Sequence, residues 1–352
     1  MAKVQKKLDL ALQGGGSHGA FTWGVLDRLL EEEDIEIDGI SGTSAGAMNA
    51  VILVAGFAEG GRVGAKKALD AFWHDVSMAG SVFSPFRQTA LDRAMHGWNL
   101  DKMPGYNFFD LISRLFSPYE LNPFNLNPLK AILQRHLPIE IIQSCSDIKL
   151  FIAATNVQTG QARIFKCDEI TVDAVLASAC IPFLFQAVEI DGEPYWDGGY
   201  MGNPVIWPLV YETSTADVLL VRINPLFRRG TPKKAMDIIN RLNEINFNSS
   251  LLAEMRAIGF VSKLIKDKKL NDPHYKDMLL HMVALPTELS DLDASSKLNT
   301  SFDFFLHLKE AGRNAMSEWL IKHKADIGVK GTVDVAKNFL KNPHYNKKIS
   351  EF

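Results

Sequence analysis

The chain has 352 residues, of which 47% are hydrophobic and 22% charged, with a formal net charge of −3. That length allows one large domain or two ordinary ones with ample core, and the near-neutral charge argues against a nucleic-acid surface as the main business. The three cysteines, Cys145, Cys167 and Cys180, are odd in number and show no metal or redox spacing, so buried thiols in a reducing compartment are expected, without a disulfide. The start, Met1 to Lys7, is basic, but the apolar run behind it is too short for a signal peptide. The longest apolar helix, Ala45 to Ala58, is too short to span a bilayer. The expectation is a cytoplasmic protein with at most transient contact with a membrane surface, needing no cofactor or metal. Oligomeric state is not readable.

Leu8 to Leu12 reads as a first strand, and it runs into Gln13-Gly14-Gly15-Gly16-Ser17-His18-Gly19 and then an apolar-periodic helix from Ala20 to about Glu32. A glycine-rich turn at a helix N-terminus points several unpaired N–H groups at one spot, which makes an anion site. The spacing Gly14-x-Gly16-x-x-Gly19 also fits a dinucleotide fingerprint, for which Asp38 is roughly placed to hold a ribose hydroxyl. Against that reading, the second strand leads at once into another tight turn that would occupy the space over the loop.

That turn organises the chain. Ile37 to Ser41 is a strand, Gly42-Thr43-Ser44-Ala45-Gly46 a sharp bend, and Ala45 to Gly56 a helix. The pattern is a nucleophile elbow with Ser44 at its tip, because glycines two residues either side remove the collisions of a strand turning straight into a helix. The helix then aims its first N–H groups and the positive end of its dipole at the serine oxygen.

A helix is expected from Lys66 to Asp75. Ser81 to Pro128 then carries many aromatics, Phe108 and Phe109 among them, mixed with prolines such as Pro85, Pro104 and Pro118, and shows no clean period. It is expected to form a mobile apolar cover beside Ser44, with Phe108 and Phe109 lining a pocket there. A short helix follows Pro128. Lys149 to Thr155 is a buried strand with Ala162 to Phe165 as its neighbour, and Thr171 to Ala179 is helical. A hairpin follows, Phe185 to Ile190 and Glu193 to Trp196 about Asp191-Gly192, and delivers Asp197-Gly198-Gly199. A carboxylate followed by two glycines can be presented at close quarters to another backbone. Ala216 to Ile223 is a further buried strand and Met278 to Leu285 a late one. Lys233 to about Ile265 and Phe302 to about His323 are helical.

Strands alternating with helices imply an α/β fold in three layers, a mostly parallel central sheet with helices on both faces. The division expected is a catalytic domain over 1–225 and a mainly helical C-terminal region over 226–352, packed on the same core.

The glycine loop after the first strand, Gly42-Thr43-Ser44-Ala45-Gly46 after the second and Asp197-Gly198-Gly199 downstream, in that order, resemble the patatin-like phospholipase family. The resemblance covers roughly residues 8–223. It implies a serine acyl hydrolase of lipid esters working through an acyl-enzyme, with Ser44 as nucleophile and Asp197 as base in a dyad without histidine. Gly14, Gly15, Gly16 and Gly19 would form the oxyanion loop, Gly42 and Gly46 the elbow, and Gly198 and Gly199 the Asp-Gly-Gly motif. The chain departs from the pattern at His18, where many members carry Arg or Lys. The chemistry stands without the name: serine needs a base for its proton and donors for the oxyanion, and a carboxylate of ordinary pKa about 4 must be partly desolvated to serve. Two alternatives remain. A Ser-Asp-His triad would draw on His274, His281, His307, His323 or His344, and a non-catalytic nucleotide-binding α/β module would keep the elbow as architecture.

Overall fold

The structure is a computed structural model that describes residues 5–340 except 85, 87, 145, 146, 229, 234, 273, 290 and 291, so Cys145, Pro85 and His344 lie outside the described residues. In chain order come β1 (Lys6–Leu12), α1 (Gly19–Leu29), β2 (Ile35–Thr43) and α2 (Ala45–Phe83), the last broken at Gly60 and Gly61. Next are α3 (Ala90–His96), α4 (Pro104–Leu115), α5 (Pro118–Leu121), α6 (Pro128–His136), α7 (Ile139–Ser144), β3 (Lys149–Asn156), β4 (Ala162–Lys166) and α8 (Val172–Ser178). The chain continues with β5 (Val188–Ile190), β6 (Glu193–Asp197), α9 (Trp207–Glu212), β7 (Asp217–Arg222), α10 (Ala235–Lys266), β8 (Leu279–Ala284) and α11 (Phe302–His323).

The strands form one sheet in the order β5-β6-β3-β2-β1-β7-β8, with β4 also paired to β3. From β3 through β2, β1 and β7 to β8 every pairing is parallel; β4, β5 and β6 add antiparallel pairs at the other side. Because side chains alternate along a strand, Leu8, Leu10 and Leu12 of β1 enter a core shared with α1, α2, α8 and α11, while Ala11 faces a second core with Leu209 and Leu251. Both faces of the central strands are thus covered, as their near-continuous apolar runs require. α1 and α11 cross closely: a side-chain carbon at Gly24 would strike the Lys309 carbonyl, and one at Gly312 the Phe21 carbonyl. In the β5–β6 hairpin, Asp191 and Gly192 both take positive φ, 53° and 81°, the two-residue turn that suits strand twist.

The expectation of irregular chain over Ser81 to Pro128 is corrected, since α3, α4 and α5 lie within it. Their start signals were there to be read. Thr89 and Asp92 form a capping box at α3, as do Ser117 and Glu120 at α5. Pro104 and Pro118 sit in the first turn of α4 and α5, where a missing N–H costs no helix bond, so these prolines open helices rather than break them. The aromatics divide into two sets. Phe86, Tyr106 and Phe109 form a small cluster, with the Tyr106 and Phe109 ring centroids 5.4 and 5.2 Å from that of Phe86, whereas Phe108, Phe116, Tyr119 and Phe124 are exposed. The expectation that the cysteines are buried also needs qualifying: Cys180 is buried and Cys167 only partly so, both as free thiols.

Candidate active site

β2 turns into α2 at Ser44, which has φ 55° and ψ −122°. A non-glycine residue seldom adopts such a backbone, and its presence marks a strained turn held by its surroundings. Those surroundings are the two elbow glycines: a carbon added at Gly42 would lie 2.6 Å from the Gly46 carbonyl oxygen, and one at Gly46 would strike the Leu12 carbonyl. The Ser44 N–H donates to Ser178 Oγ at 2.9 Å, and α2 leads away from the serine with its positive end toward it.

β6 carries Asp197 to the same place. The side chain is 2% exposed and Oδ1 accepts the Gly199 N–H at 2.7 Å. Burial pushes its carboxyl up from the ordinary 3.8 to about 6, opposed by the Gly199 N–H, by a hydrogen bond from the Ser44 hydroxyl and by the charge of Lys297. Gly198 sits against the Ala153 carbonyl, where no side chain would fit. Serine and carboxylate therefore meet without an intermediary ring.

The glycine loop lies over Ser44, since a carbon at Gly14 would be 2.6 Å from Ser44 Cβ. Of its four glycines, two have committed donors: Gly14 N–H donates to Asn203 Oδ1 at 2.6 Å, and Gly19 N–H to the Gly16 and Ser17 carbonyls. The Gly15 and Gly16 N–H groups have no acceptor among the described residues. Gly16 has φ 57°, and a carbon there would meet the Lys297 carbonyl oxygen at 2.5 Å. Side chains hold the loop in place. Gln13 Oε1 accepts the Ile223 and Asn224 N–H groups at 3.0 and 2.9 Å, and Asn224 Nδ2 donates to the Gly14 carbonyl at 2.7 Å.

Four residues escaped the sequence reading: Ser178, Asn203, Asn224 and Lys297. None sits in a marked motif, and each reaches the site only through the fold. Lys297 Nζ donates to Asn224 Oδ1 at 2.8 Å, and burial lowers its pKa. His18 is 2% exposed and bonds Ser296 Oγ at 2.7 Å. Burial, then Lys297 and Arg228, hold its pKa well down, so the ring is neutral and the cation near the loop is Lys297.

A cavity of about 470 Å³ opens over Ser44 and Asp197. Tyr106, Phe109, Phe183 and Leu184 make an apolar wall, while Asn240, Asn243 and Glu244 of α10 face it with Lys297. Phe109 lines the cavity; Phe108 does not, and is 67% exposed. No histidine lines it among the described residues. His274 pairs with Asp272 and His323 with Asp326, His281 is buried against Asp217, and His307 stacks on Trp98. Asp38 Oδ2 accepts from Ser214 N and Oγ and from Thr215 N, which leaves it bound within the fold rather than open to a ribose. Among the described residues no helix is long and apolar enough to cross a membrane.

The site thus sets a serine at a strained strand-to-helix elbow and a buried carboxylate on one cavity of an α/β sheet. The chain belongs to the patatin-like phospholipase family, whose profile matches residues 10–210. That membership makes it a hydrolase of lipid esters. A search of curated proteins finds no match. Among solved structures, the chain is similar to VipD from Legionella pneumophila at 14% identity and TM-score 0.40, covering 96% of this chain and 73% of that one. It is similar to ExoU of Pseudomonas aeruginosa, solved in complex with SpcU, at 14% identity and TM-score 0.32, covering 90% of this chain and 52% of that one.

Proposed function

We propose that Ser44 and Asp197 form a catalytic dyad that cleaves carboxylic esters of lipids through an acyl-enzyme. The observation that carries the reading is the meeting in one cavity of Ser44, at its strained elbow, and a buried carboxylate that burial raises to about 6. The carboxylate takes the hydroxyl proton as Oγ attacks the ester carbon, and the carbonyl oxygen becomes the oxyanion. Gly15 and Gly16 N–H, both free, and the first turn of α2 are its donors. Asp197 then passes its proton to the departing alcohol, which leaves an acyl-serine. A water gives its proton to Asp197 and attacks the acyl carbon, and the acid is released as Ser44 regains its proton. A base near 6 is ionised at neutral pH yet stronger than an ordinary aspartate.

The acyl chain lies against Phe109, Phe183 and Leu184 in this reading. Phe183 and Tyr200 also line a neighbouring cavity of about 640 Å³ with Phe116 and Tyr119, and beyond it Phe124 and Leu126 are 85% and 69% exposed. Residues 115–127 contain Glu120 as their single charge, so this face suits transient contact with a lipid surface from which the substrate enters. The catalytic unit is assigned to residues 1–225, with 226–352 packed on the same core.

A fluorophosphonate probe tests the nucleophile: covalent labelling at Ser44 is expected, and labelling lost in Ser44→Ala. Mass spectrometry of the products from a mixed lipid extract, with Ser44→Ala as control, then identifies the ester. Normal turnover in Ser44→Ala would sink the assignment.

A further inference from the structure

β1, β7 and β8 run parallel and end on the same edge of the sheet, and ligands of open parallel sheets bind in the crevice beyond the carboxyl ends of the strands. A second cavity, of about 310 Å³, opens there. His18 after β1, Arg222 at the end of β7 and Leu285 and Leu289 after β8 line it, and it shares Lys297 with the Ser44 cavity. The chemistry of the dyad makes no use of this space.

Its polar groups lack what burial ordinarily demands. Arg222 Nε is buried with no hydrogen-bond partner, and so is His18 Nδ1. Burial holds the Arg222 guanidinium below its ordinary pKa, and no carboxylate is paired with it among the described residues. Lys297 makes one hydrogen bond, to Asn224, out of the three an ammonium can donate. The other polar groups have partners, and the Glu244, Asp197 and Asp293 carboxylates act on Lys297 through space. Arg228 pairs with Glu244 at 2.8 Å, and Asp293 Oδ1 accepts the N–H groups of Ser295 and Ser296 at 2.8 and 3.2 Å. The lining sets Arg222, Arg228 and Lys297 against Glu244 and Asp293, one positive charge in excess, and Arg222 is the cation with no carboxylate of its own. A buried cation without a partner is costly, and an incoming anion removes that cost.

The rest of the lining is largely hydrocarbon, with Leu226, Leu285, Leu289 and Leu292 prominent. A bare inorganic anion would leave those walls unmatched, whereas a carboxylate on an alkyl chain fits both parts, each buried methylene contributing about 0.8 kcal/mol. We propose that this second cavity binds a fatty acid, its carboxylate held by Arg222 and Lys297 and its chain laid along the leucines. The site stands on its own geometry; that its ligand is the enzyme's own product rests on the hydrolase reading above. Because Lys297 also faces Ser44, an occupied second cavity would alter the charge beside the oxyanion loop and couple product level to turnover.

The test is calorimetric titration of dodecanoate into the full chain, with inorganic phosphate as the comparison anion. One dodecanoate site is expected, its affinity falling about tenfold in Arg222→Met, as for a lost charge-assisted hydrogen bond, and unchanged in Phe109→Ser. Leu289→Glu, which sets a carboxylate in the same wall, should weaken binding similarly and serves if Arg222→Met does not fold. Affinity that follows Phe109 rather than Arg222, or no dodecanoate binding at all, would overturn the proposal. Phosphate that displaces dodecanoate at equal concentration would overturn it too, by assigning the site to a phosphate compound. Fluorophosphonate labelling in parallel keeps the two ideas separate: Arg222-dependent binding in a protein that does not label keeps the site and removes only the product assignment.

Discussion

Asp197→Asn is expected to destroy activity and to stabilise the protein at neutral pH. The carboxyl is raised from 3.8 to about 6 mainly by burial, so ionising it inside the fold is unfavourable by about two pH units, or about 3 kcal/mol. Between about pH 4 and 6 the folded state binds this proton more readily than the unfolded chain, so its stability falls as pH rises through that window and then stays low. An asparagine is neutral throughout and keeps an oxygen for the Gly199 N–H. In urea titrations at a series of pH values, the variant should match wild type near pH 4, pull ahead through pH 5 and 6, and lead by about 3 kcal/mol at pH 8. Turnover of a soluble ester should fall by several powers of ten at every pH, because the amide cannot accept the serine proton. A variant less stable than wild type at pH 8, or a lead indifferent to pH, would refute the claim that a desolvated carboxylate faces Ser44.

Gly16→Ala should lower kcat by about two to three powers of ten, since the new carbon meets the Lys297 carbonyl in a residue with φ 57°; near-normal kcat in a folded variant would remove Gly16 from the oxyanion loop. Lys297→Gln keeps a donor for Asn224 but drops the charge that lowers the Asp197 carboxyl, so the acid limb of kcat/KM should move above pH 6, and an unmoved limb would deny the ammonium any influence there. Phe109→Ser should weaken hydrolysis of long acyl esters while sparing butyryl esters, and Phe108→Ser, outside the cavity, should leave both rates alone. Parallel loss on both esters in Phe109→Ser would send the acyl pocket elsewhere.

The central sheet was readable because its strands are short apolar runs set between glycine turns, and two of those turns hold Ser44 and the glycine loop over it. Gly42, Gly46 and Gly198 betray themselves in sequence for a steric reason that the coordinates repeat, each lying against a backbone carbonyl. The residues that hold the glycine loop were not readable. Asn203, Asn224 and Lys297 lie 189, 210 and 283 positions after Gly14 and are single polar residues in ordinary surroundings, and a hydrogen bond between distant segments leaves no local pattern. The helices at 90–121 were missed for a different reason. A proline interrupts a helix interior, but at the first turn it is compatible with helix, and the capping residues beside these prolines mark the helix starts.

His18 and Lys297 show how the charge beside the glycine loop is set by two distant positions. The ring is buried and bonded to Ser296, and the same stretch of chain, one residue further, brings Lys297 against Gly16 and Asn224. A histidine at this place could not be protonated without adding a third cation beside Lys297 and Arg228, both of which already depress it. Its neutrality follows first from burial and then from Lys297 and Arg228, so the two positions have to be read together. The residues that do this belong to the region after 225, which also adds β8 to the sheet and packs α11 on α1. A cut at 225 would take away the Lys297 cation, the α10 wall of the cavity and the cover of Gly24 at once, so the region after 225 completes the cavity around Ser44 that residues 1–225 begin.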